Sequence, residues 1–128
     1  MIKPAIATLT AFRNGDFSVA ITLADSNGPI DLTGFVARMQ VREREGATGN
    51  PLVAVTESST IAGSVISYID RAGGKLEVLI KKADWSAIPA VESNLARNFA
   101  WDLLLKDATD FECPYLRGPF AFNEGVTQ

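Results

Sequence analysis

The residue types that most often carry out proton transfer and nucleophilic attack are nearly missing from this sequence. It contains no histidine and a single cysteine, Cys113. A Ser/His/Asp or Cys/His catalytic set is therefore impossible within one chain, as are a zinc site built from Cys and His and an internal disulfide. Cys113 precedes Pro114 with no histidine to activate it, so we do not predict it to be a nucleophile.

Carboxylates are the remaining groups with catalytic or metal-binding chemistry. The segment Asp25-Ser26-Asn27-Gly28 lacks the alternating ligands and the closing glutamate of a calcium loop. We interpret it as an Asx-type turn, and residues 107–110 as a second, solvated turn. A pair of carboxylates for glycoside hydrolysis remains an alternative, because such a pair would need a sugar-binding cleft, which a sequence does not reveal. We predict no catalytic residue, no cofactor and no metal.

A row of polar side chains is the strongest candidate for a contact surface. Arg38, Gln40 and Arg42 alternate with apolar residues, so they share one face of a strand. The row is either a partner-binding surface or a solvated sheet face. Asp102 lies on the polar face of another predicted strand, and we expect it to form a cross-strand ion pair with Arg38 or Arg42.

Alternation with a period of two runs through most of the chain and predicts the elements that position these groups. Apolar residues alternate in the segments 17–23, 35–43, 75–81 and 97–105, and Trp101 falls on the apolar face of the last. Further strands are expected at 5–12, 52–56, 61–69 and 115–122. Asn14-Gly15 is a hairpin signal, residues 71–74 form a second hairpin-type turn, and 44–51 a polar loop. One helical turn at 83–87 should end at Ile88, before Pro89.

These elements predict one all-β domain over residues 1–128, with about seven or eight mostly antiparallel strands and one short helical turn. Short strands with closely spaced turns are typical of a β-sandwich or a small barrel. The formal net charge of −3 and the absence of a basic cluster argue against nucleic-acid binding. Apolar stretches are too short to cross a membrane, and we see no secretion signal.

A set of short motifs resembles a known group of proteins when taken in order. Asp31-Leu32-Thr33-Gly34 and an aromatic residue precede a strand of the form Arg-x-Gln-x-Arg, from Arg38 to Arg42. The later matches are Gly74-Lys75-Leu76, Trp101-Asp102-Leu103, Arg117-Gly118 and Val126-Thr127. Together they resemble short structural proteins of tailed bacteriophages and prophages, including the N-terminal domain of the baseplate upper protein family. The chain departs from that family in having Trp101 where tyrosine is common.

The resemblance implies an immunoglobulin-like β-sandwich and a non-enzymatic role in the virion, in the tail or baseplate. It implies contacts with other phage structural proteins, and localisation in the phage particle after synthesis in the bacterial cytoplasm. Because phage assemblies are symmetric, we also expect a homo-oligomer. The surface that binds partner proteins should combine an exposed sheet edge with loops, since edges offer unpaired backbone groups to a partner strand.

The 31–34 motif has a physical role in such a fold. Leu32 can close the end of the core, Asp31 and Thr33 can hydrogen-bond the turn, and Gly34 can permit a sharp entry into the next strand.

Three other functions stay open. A capsid-decoration or head–tail protein would share the fold. A carbohydrate-binding module would need Trp85, Tyr68 and Tyr115 to form an exposed cluster. A small hydrolase would need a cleft with two facing carboxylates.

Overall fold

Strand segments and one short helix account for most of the chain in the computed structural model, which describes residues 5–6, 8–44, 46–89 and 97–124. The elements are, in chain order, β1 (Ala5–Ile6), β2 (Leu9–Phe12), β3 (Phe17–Thr22), β4 (Ala24–Asp25), β5 (Gly28–Pro29), β6 (Val36–Arg42), β7 (Val53–Val55), β8 (Val65–Asp70), β9 (Lys75–Ile80), a 3₁₀ helix (Lys82–Ala87), β10 (Arg97–Lys106) and β11 (Glu112–Asn123). Eight of these strands have three or more residues. The prediction of an all-β fold with one short helical turn is confirmed.

The strands form two main sheets. The larger sheet has the order β1-β11-β10-β6-β7, and β2 also pairs with β11. The smaller sheet has the order β3-β9-β8, while β4 and β5 form a small separate ladder. β1 and β2 run parallel to β11, and the other pairings are antiparallel.

The predicted apolar faces are buried, and both sheets contribute to one hydrophobic cluster. Ala37, Met39 and Val41 of β6 are at most 1% exposed. Other buried apolar residues of the cluster are Phe99, Trp101, Leu103 and Leu105 of the adjacent strand β10, and Leu76, Val78 and Ile80 of β9 in the smaller sheet. The rings of Phe17 in the smaller sheet and Phe120 in the larger sheet are 5.6 Å apart between centroids. Burial of these faces from water is the main force that holds the two sheets together.

The turn at Asn14-Gly15 does not form the hairpin that we predicted. It reverses the chain, with the Gly15 N–H donating to the Phe12 carbonyl at 3.1 Å, but β2 pairs with β11 and β3 pairs with β9. The Arg13 N–H donates to the Asn123 carbonyl at 2.8 Å, which extends the β2–β11 contact. The turn therefore connects a strand of the larger sheet to a strand of the smaller sheet. The hairpin prediction was wrong because the Asn-Gly signal specifies a chain reversal but does not specify which strands pair. Residues 71–74, by contrast, do connect the β8–β9 hairpin.

The 31–34 turn has the structural role that its residues predicted. Leu32 is fully buried, and the Thr33 N–H donates to Asp31 Oδ1 at 2.9 Å. Hydrogen bonds from the Thr33 side chain and main chain lower the pKa of Asp31. Gly34 has a φ of 85°, which favours glycine. The Arg71 guanidinium fixes the turn from the opposite side by donating to the Leu32 and Phe35 carbonyls, at 3.3 and 3.1 Å.

The 3₁₀ helix closes one end of the core with Trp85. This side chain is 1% exposed, its ring lies 5.2 Å from the Phe122 ring, and its Nε1–H donates to the Gly15 carbonyl at 3.0 Å. The helix ends at Ala87, before Ile88, as predicted.

Beside this helix, an ion cluster joins the ends of β2 and β11 to the start of β10. Glu124 accepts hydrogen bonds from Arg13 Nε and Arg97 Nη2, each at 2.6 Å. Arg13 also donates to the carbonyls of Trp85 and Ile88, at 3.3 and 2.8 Å. The hydrogen bonds to Arg13 lower the pKa of Glu124 more than its desolvation raises it.

Candidate binding pocket on the outer face of the larger sheet

The polar row predicted on β6 lies on the outer face of the larger sheet, next to β10. Arg38, Gln40 and Arg42 are half-buried. Asp102 of β10 lies between Gln40 on one side and Arg117 of β11 on the other in the strand register. The prediction that the Asp102 strand neighbours the arginine strand is therefore confirmed.

The ion pair predicted between Asp102 and Arg38 or Arg42 is not formed. Arg38 instead donates to both carboxylate oxygens of Glu112, at 2.7 and 2.6 Å. This bidentate hydrogen bonding raises the pKa of Arg38 and lowers that of Glu112. Arg42 donates to the Gly49 carbonyl at 2.6 Å and to Gln40 Oε1 at 3.1 Å. Both arginines have better-placed acceptors, and among the described residues no ion pair within 4.0 Å involves Asp102.

Asp102 consequently carries an unsatisfied oxygen. Its Oδ1 atom is buried and has no hydrogen-bond partner among the described residues. Burial raises the pKa of Asp102, while the positive charges of Arg42 and Arg38 oppose that shift. A buried acceptor without a donor is unfavourable and uncommon in folded proteins. Asp102 therefore offers an acceptor to a hydrogen-bond donor from outside the described residues.

A pocket of about 650 Å³ opens beside Asp102. It is lined by residues of β6, the β6–β7 loop, β10 and β11, namely Arg42, Arg44, Gly46, Asn98, Phe99, Ala100, Trp101, Asp102, Pro114, Arg117, Gly118 and Pro119. Ala100 lies between Arg42 and Pro119 in the strand register. Because Ala100 is short, the longer side chains around it on the outer face enclose a hollow.

Arginines dominate the charge of this pocket. Three guanidinium groups, those of Arg42, Arg44 and Arg117, share the lining with one carboxylate. A guanidinium group matches the planar, bidentate geometry of carboxylates and of phosphate oxygens. The arrangement can therefore bind an oxyanion that carries a hydrogen-bond donor. Sequence reasoning identified Arg42 and Asp102 but missed Arg44 and Ala100, and it noted Arg117 only as a motif match.

The other candidate sites of the sequence have structural roles. Asp25 Oδ1 accepts the Asn27 N–H at 2.8 Å, which confirms the Asx-type turn. Asp107 Oδ1 accepts the Thr109 N–H and hydroxyl at 2.8 and 2.7 Å, and these bonds lower its pKa. The described residues contain no group of three or more side chains arranged to hold a metal ion. The Cys113 side chain and the Val126-Thr127 motif lie outside the described part.

The aromatic cluster required for a carbohydrate-binding module is not formed. Trp85 is buried in the core. Tyr68 lies on β8 of the smaller sheet, where its hydroxyl donates to the Glu57 carboxylate. The Arg71 guanidinium lies 3.6 Å from the centre of the Tyr68 ring. Burial and the bond to Glu57 raise the pKa of Tyr68 to about 12.

Comparison with known proteins gave no match, either among models of protein families or among curated proteins. Within the described ranges, none of the helical structure is long and apolar enough for a membrane span.

Proposed function

We propose that this chain is a non-enzymatic structural protein of a phage or prophage particle, and that it mediates protein–protein contacts in the tail or baseplate. The observation that carries the proposal is the position of the residues that resemble the phage proteins. The 31–34 motif forms a turn that buries Leu32, Trp101 lies in the core, and Arg38 forms an ion pair with Glu112. Residues with these roles specify a fold, so they support the resemblance to the phage proteins, and the virion role is what that resemblance implies.

The proposed fold is immunoglobulin-like. In such sandwiches the strands B, E and D form one sheet, and G, F and C form the centre of the other. The orders β3-β9-β8 and β11-β10-β6 follow the same pattern. The parallel pairing of β1 and β2 with β11 leaves β3 and β8 at the ends of the smaller sheet within the described residues. These edges, together with the outer face of the larger sheet, are the proposed contact surfaces.

The proposal is tested by locating the protein in particles. Phage particles induced from the strain that carries the gene would be purified by density gradient, and the chain would be quantified by mass spectrometry. We expect a defined copy number relative to the major tail and capsid proteins. Immunogold labelling should place it on the tail or baseplate, whereas labelling of the head would favour the capsid-decoration or head–tail alternative. Absence of the chain from infectious particles would contradict a virion role.

Light scattering provides a second test. We propose that the protein forms a homo-oligomer alone or assembles with another virion protein. A pure chain that stays monomeric at all accessible concentrations and binds no purified virion protein would contradict the assembly role.

A further inference from the structure

We propose that the outer-face pocket beside Asp102 binds an acidic peptide segment of a partner protein. A carboxylate side chain of that segment pairs with the arginines of the pocket, and a main-chain N–H of the segment donates to Asp102. This inference rests on the proposed function, because it takes the partner to be a protein.

The charge of the pocket is the first argument. The whole chain has a formal net charge of −3, yet three arginines and one aspartate line this hollow. A concave positive site in an otherwise acidic chain concentrates anions at that place and repels them elsewhere. The Arg42 side chain already donates to the Gly49 carbonyl at 2.6 Å. Less of its conformational entropy is therefore lost when a ligand binds, which favours binding.

Asp102 supplies the second argument, because it restricts which anions fit. A ligand that only supplied negative charge would leave the buried Oδ1 atom unpaired and would be repelled by it. A peptide carries an N–H donor within a few bonds of every acidic side chain. One acidic residue therefore satisfies both the arginines and Asp102.

Size and aromatic content favour a peptide over a sugar. The volume of about 650 Å³ lies within the range of roughly 300–1,000 Å³ that is typical of ligand pockets, so it can take an acidic side chain together with the main chain that carries it. The two aromatic residues of the lining, Phe99 and Trp101, are only 8% and 3% exposed. Their rings therefore offer no platform on which a sugar could stack. A peptide that extends beyond the pocket meets the rest of the polar row on β6, which a monosaccharide would not reach.

Titration of the pure protein, followed by amide NMR, tests the proposal. The probes are an acetylated and amidated tri-glutamate peptide, sodium sulfate and glucuronate. We expect saturable shifts from the peptide at the amides of Ala100, Asp102 and Gly118. Sulfate should bind more weakly because it brings no hydrogen-bond donor, and glucuronate should bind more weakly because the lining has no exposed ring on which a sugar can stack.

Filling the pocket gives the sharpest variant. Ala100→Gln places a longer side chain in the hollow without changing any charge, and it should weaken peptide binding by about tenfold or more, equivalent to about 1.4 kcal/mol. Ala20→Gln is the matched control, because Ala20 is exposed on β3 of the smaller sheet and does not line the pocket. It should leave the affinity unchanged.

Two further variants and one control keep the test informative if Ala100→Gln does not fold. Arg44→Gln alters an exposed residue of the rim and should weaken the binding of both the peptide and sulfate, whereas Lys75→Gln, an exposed change on β9, should weaken neither. Asp102→Ala should weaken the binding of the peptide but not that of sulfate, because it removes the acceptor for the N–H.

Three results would overturn the inference. The first is the absence of saturable shifts at the pocket amides. The second is binding of sulfate as tight as that of the peptide, with no effect of Asp102→Ala, which would mark a simple anion site. The third is tighter binding of glucuronate, which would mark a sugar site. The proposed function fails separately: a chain that binds the peptide but is absent from particles keeps the pocket assignment and loses only the virion role.

Discussion

Replacing Glu124 with glutamine should destabilise the protein by about 2 kcal/mol, since it removes the shared negative charge of the cluster with Arg13 and Arg97. The carboxylate accepts three hydrogen bonds from the two guanidinium groups, at 2.6, 3.2 and 2.6 Å. Glutamine keeps the shape, but it replaces one acceptor oxygen with an NH₂ group that cannot accept, and the remaining oxygen is neutral, so each hydrogen bond is lost or weakened by roughly 1 kcal/mol. The Glu124 side chain is 12% exposed and the two arginines about a quarter. Solvent screening therefore reduces the summed loss to about 2 kcal/mol.

The chain offers a matched control at Glu112. Its side chain also forms two short hydrogen bonds with one arginine, Arg38, but it is 28% exposed and its partner 41%. More exposed pairs contribute less, so Glu112→Gln should destabilise by less than about 1 kcal/mol. Each free energy would be measured by urea unfolding, followed by tryptophan fluorescence at neutral pH.

Salt and pH provide independent checks of the same reasoning. In 1 M salt the screening length is about 3 Å, so the effect of Glu112→Gln should largely vanish while that of Glu124→Gln persists. The pKa of Glu124 is lowered in the folded state, so its contribution is present above the unfolded value of about 4.3 and is lost as the pH falls through the folded value. The difference between the wild type and Glu124→Gln should therefore shrink below about pH 4. Equal losses for the two glutamine variants would refute the argument from burial.

Three further predictions concern the core, a tight turn and a phenol. Trp101→Ala should destabilise by about 3–5 kcal/mol in the same urea assay, because the side chain is 3% exposed; a loss near zero would mean that the faces of its strand are assigned backwards. Gly74→Ala should destabilise by at least about 2 kcal/mol, since it has a φ of +72° and its new Cβ would lie 2.4 Å from the Leu23 carbonyl oxygen. Gly15→Ala, with no atom within 4 Å of the added carbon, should change stability little. Tyr68 should ionise with a pKa of about 12, measured as the phenolate absorbance that Tyr68→Phe removes; ionisation near pH 10 would contradict its bond to Glu57.

The buried faces were predictable because burial follows a local rule. In β6 and β10 each second residue is apolar, and these are the residues that meet in the core. The 31–34 turn was predictable for a similar reason, because Asp31 bonds the backbone two residues further on.

Partners distant in sequence were not predictable in the same way. Arg38 meets Glu112 across 74 positions, and Arg13 meets Glu124 across 111. Several carboxylates were equally possible partners on charge alone, and only the strand order and register decide between them. The predicted Asp102 pair was wrong for this reason, although its strand was correctly placed beside β6.

The candidate pocket could not be predicted from the sequence, because it depends on a short side chain between longer ones. Ala100 carries no chemical signal, and it becomes informative only when the strand register places it beside Arg42 and near Arg117. The hollow forms where β6 and the loop that follows it meet β10 and β11, more than 50 residues further along the chain.

The parallel pairing of β1 and β2 with β11 has a mechanical consequence. A force that pulls the chain apart from before β1 and after β11 loads these neighbours in opposite directions along their common axis. The hydrogen bonds that join them lie across that direction and are sheared together, unlike those of a hairpin, which open one after another. The Arg13–Glu124 contact lies at the same place and adds to the resistance. The larger sheet should therefore resist such a force more strongly than a hairpin of the same length would.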